Sequence, residues 1–381
     1  VPPMNMDDPA RASRARMRPS GLLGMLIAIT AIELVVAHHK LDLTPIVGID
    51  WNQVGRRLER SVRENEILCF GDSMIRHGVL PRVIQQRTGR RCLSLAVAAG
   101  QAPIDYFLLR RALEAGARPT ALLVNFKPYL LEIDPMPNVW LYQQLLSFRE
   151  CWDLAQTTRS DELFSRVVLG RLLPSVRNRT DLRDHLLAAF DGQSRSMRQA
   201  NRFHLDQWRY HRGSQLTSPN PQFQPADLER AEFQSLFKTP WTPSPVMVAY
   251  ARRFLQLAAE NDIPVFWLMP PYSPEARTRR EQRGLETAYT EFALQIQAEF
   301  PNLVVLDGRQ ADYPRSVFVD PSHLDGIGGT TLSAALADVL RTAMESKRTG
   351  PRWLELARFR PLDELDPSLI AAKTQLNVRR R

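Results

Sequence analysis

Short apolar runs alternate with amphipathic stretches along most of the chain. Residues 66–71 (EILCFG) predict a buried strand, and 80–88 a helix. A second strand falls at 92–98 (CLSLAVA), a helix at 104–115 and a third strand at 121–126 (ALLVNF). The alternation resumes with a helix at 245–260, a strand at 263–269 (IPVFWLM), a helix at 281–300 and a strand at 303–307 (LVVLD). A last long helix is expected at 330–346, and a further helix at 51–63 within the polar lead-in of 40–64. Strands that are apolar throughout, separated by helices, indicate a parallel sheet covered on both faces. The expected fold is therefore α/β, three-layered and flavodoxin-like, with five parallel strands in the order 2-1-3-4-5.

Residues 134–244 break the rhythm. They are rich in Arg, Gln, Trp and Pro, with helical patches at 139–157, 161–173 and 181–190. Segment 212–227 is Pro-, Gln- and Ser-rich and predicts loop. The interval reads as a helical insertion between the third and fourth strands. At the carboxyl end of the sheet, such an insertion is placed to form a lid. The core domain is assigned to 40–349, and 350–381 reads as a polar tail ending in three arginines.

One apolar run differs from the rest. Residues 21–37 (GLLGMLIAITAIELVVA) carry a single charge, Glu33, and follow a basic stretch, 1–20, with Arg11, Arg14, Arg16 and Arg18. As a helix the run is about 25 Å long, slightly short of a hydrocarbon core of about 30 Å. Positive charge before the run places the amino terminus in the cytoplasm and the rest across the membrane. Three readings stay open: an uncleaved signal anchor, a signal peptide cut after Ala37, or a buried helix of a soluble protein, which Glu33 favours.

Composition narrows the classes. The chain has 381 residues, 24% charged and 44% hydrophobic, which excludes wholesale disorder. Its formal charge of +9 is spread along the chain, unlike a nucleic-acid footprint, so no nucleic-acid partner is expected. Three cysteines, Cys69, Cys92 and Cys151, are too few for a disulfide scaffold. Cys69 and Cys92 fall on neighbouring predicted strands and read most simply as buried thiols. His185, His204 and His211 have no metal-ligand spacing, and no metal site is assigned.

The chemistry concentrates at two points. Gly71-Asp72-Ser73 directly follows the first strand, which sets Ser73 at the carboxyl edge of the sheet. Serine needs a base to become a nucleophile. The histidine placed to serve is His323, in Asp320-Pro321-Ser322-His323 before the last helix. A carboxylate three residues earlier is within reach of Nδ1, leaving Nε2 to face the serine. Asp72 reads as an acceptor of loop hydrogen bonds, and His77 as structural. Trp140, Trp152, Trp208 and Trp241 read as core of the insertion.

The segments ILCFGDSMIRHGV, SLAVAAGQAPIDYFLL, VFWLMPPYSP and VDPSHLDGIGGTTLSAALA resemble the blocks of the SGNH, or GDSL-type, hydrolases. The resemblance spans roughly 64–345, apart from the insertion. It implies that Ser73 is the nucleophile, His323 the base and Asp320 its orienting partner. It also implies that the Ser73 and Gly100 amides and the side chain of Asn125 donate to the oxyanion. The third block departs from the family pattern: Asn125 stands two places early, and Lys127 occupies the expected donor position. The implied activity is that of an esterase or acyltransferase working without metal or organic cofactor. Its substrate would be an ester-bearing small molecule or cell-envelope polymer, and the amino-terminal helix would hold it at the membrane. A non-catalytic envelope binding or assembly protein on the same fold is the alternative.

Overall fold

The computed structural model describes residues 19–192, 196–345 and 351–361. The basic stretch ahead of residue 19 and the terminal arginines lie outside them. The described residues hold one parallel sheet, in the order β2-β1-β3-β4-β5-β6. Its strands are β1 Ile67–Phe70, β2 Cys92–Ser94, β3 Ala121–Val124, β4 Val265–Met269, β5 Leu303–Asp307 and β6 Trp353–Glu355. The first five follow the expected order. The sixth corrects the expectation of five strands: part of the supposed tail pairs with β5, Val305 opposite Trp353.

Alternate strand residues feed two cores. Leu68, Phe70, Leu122, Val124 and Trp267 face one way, onto the helices Ala102–Glu114, Pro245–Glu260 and Leu285–Glu299. Ile67, Cys69, Leu123, Phe266 and Leu268 face the other, onto Pro81–Thr88 and Gly326–Glu345. Burial on both faces is why these strands read as unbroken apolar runs. The sequence steps from β1 outward to β2, then back across β1 to β3. That reversal opens a crevice at the carboxyl ends of the strands, where such sheets bind ligands.

Several helices depart from the sequence reading. The stretch expected at 281–300 is two helices, Pro274–Gln282 and Leu285–Glu299, broken at Gly284 with φ of 70°. The patch at 139–157 is Val139–Leu145 and Phe148–Thr158. The second starts at a capping box in which Ser147 and Glu150 satisfy each other's backbone amides. The helix Arg198–Tyr210 has no counterpart in the sequence reading. Cys69 and Cys92 are free thiols on neighbouring strands with sulfurs 3.6 Å apart, although the register sets Cys69 opposite Ser94 and Cys92 opposite Ile67. Trp208 is core and Trp140 and Trp241 pack beside it, whereas Trp152 is exposed, against the core reading.

The lead-in and the insertion are both bound to the segment after β2 by polar contacts. Trp51 Nε1 donates to the Ala98 carbonyl at 2.9 Å, and the Tyr142 hydroxyl to Gln101 at 2.9 Å. Behind the first turn after β1, Arg76 forms a buried ion pair with Asp50 at 2.6 Å and donates to Gln215 at 2.6 Å. His204 closes the group against both Arg76 and Asp50. One helix of the lead-in, the helix that carries Ser73 and two parts of the insertion therefore meet on one guanidinium.

The helix Pro19–His38 stands apart, almost wholly exposed except for the buried Val36. Among the described residues it is the one helix long and apolar enough to cross a membrane. Glu33, which interrupts the run, has a partner: its carboxylate accepts from the Ser175 amide at 2.9 Å and from the Ser175 hydroxyl.

Removing one partner of a buried ion pair strands the other charge. Arg76→Leu should therefore destabilise the protein by about 3–5 kcal/mol, read as a lowered urea midpoint at unchanged slope.

Candidate active site

Ser73 opens the short helix Ser73–Gly78 immediately after β1. The turn that puts it there needs two glycines. Gly71 has φ of +124°, and a Cβ on Gly100 would lie 2.4 Å from the Gly71 carbonyl oxygen. The two loops after β1 and β2 therefore touch backbone to backbone. Asp105, fully buried, accepts from the Gly71 amide at 2.9 Å. Burial, opposed by that hydrogen bond, pushes its carboxyl well above the ordinary range, with Asp72 adding to the push.

Asp72 caps the helix and gathers donors. One carboxylate oxygen accepts from the Met74 amide at 3.0 Å and from Asn125 Nδ2 at 3.1 Å. The other lies 3.5 Å from the Lys127 ammonium, which is buried with it. Asp72 is thus an acceptor of loop hydrogen bonds, as its position suggested. Lys127 is held inside the site, and the Tyr272 hydroxyl shares its surroundings.

The loop before the last helix supplies the other half. The Asp320 carboxylate accepts from the Ser322 amide at 2.8 Å and the His323 amide at 2.9 Å, folding the loop around itself. Its second oxygen meets His323 Nδ1 at 2.5 Å. Nε2 of the same ring lies 2.7 Å from Ser73 Oγ. Ser73, His323 and Asp320 therefore form one continuous relay, the arrangement that activates a serine hydroxyl. The edge of the His77 ring approaches His323, with centroids 5.4 Å apart, and its Nδ1 is 2.8 Å from Thr217 Oγ1. Burial, with the charges of Arg76 and His323, drives the His77 pKa far down, so a neutral ring backs the imidazole.

The remaining oxyanion candidates are engaged elsewhere. The Gly100 amide donates to the Val97 carbonyl at 2.9 Å, closing a tight turn. Asn125 Nδ2 points to Asp72, while its carbonyl oxygen is buried with no partner among the described residues. Of the three predicted donors, the Ser73 amide at the helix start is the one beside the Ser73 hydroxyl.

Sequence reasoning missed the strap over the site. Gln215 N donates to the Arg76 carbonyl at 2.9 Å, and Gly326 N to the Thr217 carbonyl at 2.9 Å. Asn220 Nδ2 donates to the Val319 carbonyl at 2.8 Å. Segment 212–227 is loop as far as residue 224 and then enters the 3-10 helix Pro225–Glu229; the loop stitches the serine helix to the histidine loop. Further on, Leu228, Leu236 and Phe237 pack on Met74 and Tyr272, covering the residue that follows Ser73. No motif marked these residues. Asp105 was equally silent, since an acidic residue in a first helical turn is ordinary.

Comparison of the sequence with protein-family models and with curated proteins gives no match.

Burial opposes ionisation of Asp320, but the His323 hydrogen bond and charge, the Ser322 amide and Lys127 outweigh it and hold its pKa at about 2. An unfolded aspartate titrates near ~3.9. Asp320 therefore contributes full stability above about pH 4 and loses it as pH falls toward 2. Urea unfolding across that window should show a steep acid limb, and Asp320→Asn should flatten it.

Proposed function

We propose that the protein is a membrane-anchored serine esterase or O-acyltransferase of SGNH type, working through an acyl-enzyme. Its substrate would be an ester of a cell-envelope polysaccharide or lipid. The observation that carries this reading is the relay from Asp320 through His323 to Ser73 Oγ, 2.5 and 2.7 Å long. Ser73 Oγ attacks the ester carbonyl carbon while His323 Nε2 takes its proton. The C–O electron pair moves onto oxygen and returns as the tetrahedral species collapses, expelling the alcohol with the proton from His323. Water, or an acceptor hydroxyl, then repeats the sequence on the acyl-enzyme, and Ser73 is regenerated. Asp320 holds the imidazole in the required tautomer and stabilises it when charged.

The forming oxyanion would meet the Ser73 amide and the field of the buried Lys127. Gly100 and Asn125 would join once substrate displaces their present partners. The anchor would be Pro19–His38, with the amino terminus cytoplasmic on the strength of the arginines ahead of it and the sheet domain outside.

One observation favours a second reading, a non-catalytic binding protein on this fold: the Gly100 and Asn125 donors are already bonded. A fluorophosphonate probe on the full chain in detergent separates the two. The parent should label at Ser73, and Ser73→Ala and His323→Ala should each abolish labelling. A folded parent that stays unlabelled supports the binding reading, and equal labelling of Ser73→Ala removes Ser73 as nucleophile. Loss of one oxyanion-stabilising group costs about 10²–10³ in kcat. Lys127→Met should therefore slow acylation of an activated ester by about that factor, measured by stopped flow.

A further inference from the structure

The insertion carries an apolar surface that the proposed chemistry does not use. On the helix Arg179–Phe190, Leu186, Leu187 and Phe190 fall at i, i+1 and i+4, so they share a face, and all are exposed, Phe190 to 87%. On the helix Asp161–Leu172, Leu169 and Leu172 are exposed at i and i+3. Leucines and phenylalanine grouped this way on one part of a protein mark an interaction surface.

Its neighbour is the apolar helix Pro19–His38. Ser175, in the short helix Pro174–Arg177 that joins the other two, holds the Glu33 carboxylate. Glu33 lies five residues before His38, about 7.5 Å along the helix axis. If the helix spans a bilayer with His38 at the outer surface, that contact lies within the headgroup–acyl boundary. Interfacial helices bury their apolar faces to about 5–10 Å, the same depth. The junction is also braced. Asn201 Nδ2 donates to the Leu41 and Thr44 carbonyls at 2.7 and 2.9 Å, and Arg198 pairs with Asp42 at 2.9 Å.

Between these helices lies a cavity of about 750 Å³, lined by Trp140, Leu169 and Val176 with Arg166, Arg177 and Arg179. Asp181 is the carboxylate on its wall, and Arg166 is paired with Glu162 at 2.7 Å. Arg177 Nε is buried and has no hydrogen-bond partner among the described residues. Burial and the charge of Arg171 disfavour its charged form, with Glu33 alone pulling the other way. A basic, aromatic-lined cavity beside exposed leucines matches an amphiphile with an anionic head.

We propose that the face formed by Asp161–Leu172, Pro174–Arg177 and Arg179–Phe190 rests on the bilayer beside the anchor helix, and that its cavity takes the anionic head group of a membrane phospholipid. This rests on the reading of Pro19–His38 as a membrane span. Cys69, Cys92 and Cys151 are buried, so single introduced cysteines can be spin-labelled on the full chain. Leu26→Cys, Phe190→Cys and Glu260→Cys would be compared in vesicles of phosphatidylcholine with phosphatidylglycerol. The expected result is lipid-like access of oxygen over a nickel chelate at 26 and 190, and water-like access at 260. Lipid at 26 with water at 190 overturns the surface and leaves the anchor. Water at both removes the anchor reading. Dipolar broadening between labels at 190 at low protein density overturns the proposal in favour of a second copy of the chain. For the cavity, a short-chain phosphatidylglycerol is titrated calorimetrically into the full chain in zwitterionic detergent. Arg177→Gln with Arg179→Gln should weaken it by about thirtyfold, at about 1 kcal/mol for each arginine. Unchanged affinity in the folded double variant, or equally tight binding of inorganic phosphate, overturns the head-group assignment.

Discussion

A hydrogen bond of 2.7 Å joins Ser73 to His323 across 250 residues of sequence. Neither residue can reach the other by local structure. Their meeting depends on parallel strands whose carboxyl ends share one edge, because every loop that leaves this edge begins in the same place. Two carboxylates, Asp72 buried and Asp320 partly so, then set the fine geometry. Asp72 caps the helix that starts at Ser73, and Asp320 folds its loop by taking two backbone amides before it turns to the imidazole. Asp72 accepts from Met74 in its own segment and from Asn125 after β3, with Lys127 beside it, whereas Asp320 takes its partners from its own loop and passes the contact on to Ser73 through His323. Local folding and the distant contact therefore reinforce each other.

The insertion is part of this construction. Gln215, Thr217 and Asn220 bridge the serine helix and the histidine loop, while His204 completes the buried group around Arg76. Buried charges persist only when satisfied from several sides. An insertion that supplied no such partners would leave Arg76 and Asp50 with a desolvation cost that one ion pair repays poorly. The relay and the insertion are thus coupled through the back of one six-residue helix, Ser73–Gly78.

The first five strands and the relay were legible in the sequence for a shared reason. Strands buried on both faces leave continuous apolar runs, and small residues followed by a serine mark a sharp strand exit. What stayed hidden lacked that contrast. β6 is three residues at a sheet edge, half-exposed, so no apolar run announces Trp353–Glu355. The helix Arg198–Tyr210 buries Asn201, His204 and Gln207 alongside Leu205 and Trp208, and polar residues that are buried look exposed in a sequence. The Gly100 turn illustrates a different limit. Its glycine is required because the Gly71 carbonyl is so close, yet residue type alone does not say where the amide hydrogen goes. Likewise Lys127 stood out by its position, but its burial against Asp72 follows from the fold.

The placement of Lys127 bears on how the site would discriminate. An ammonium buried beside a carboxylate is held as a pair, so its charge is partly spent in the resting state. In the proposed reaction, negative charge arriving on a substrate carbonyl would compete with Asp72 for that ammonium, and only as the tetrahedral species forms. An interaction that strengthens along the reaction lowers the barrier, whereas one equally strong in the bound substrate lowers only the concentration needed. The Asp72 pairing would keep Lys127 from binding a neutral ester strongly beforehand. In the proposed acyl transfer Lys127 would thus serve as a movable charge, returned to Asp72 after each cycle, in place of a fixed dipole.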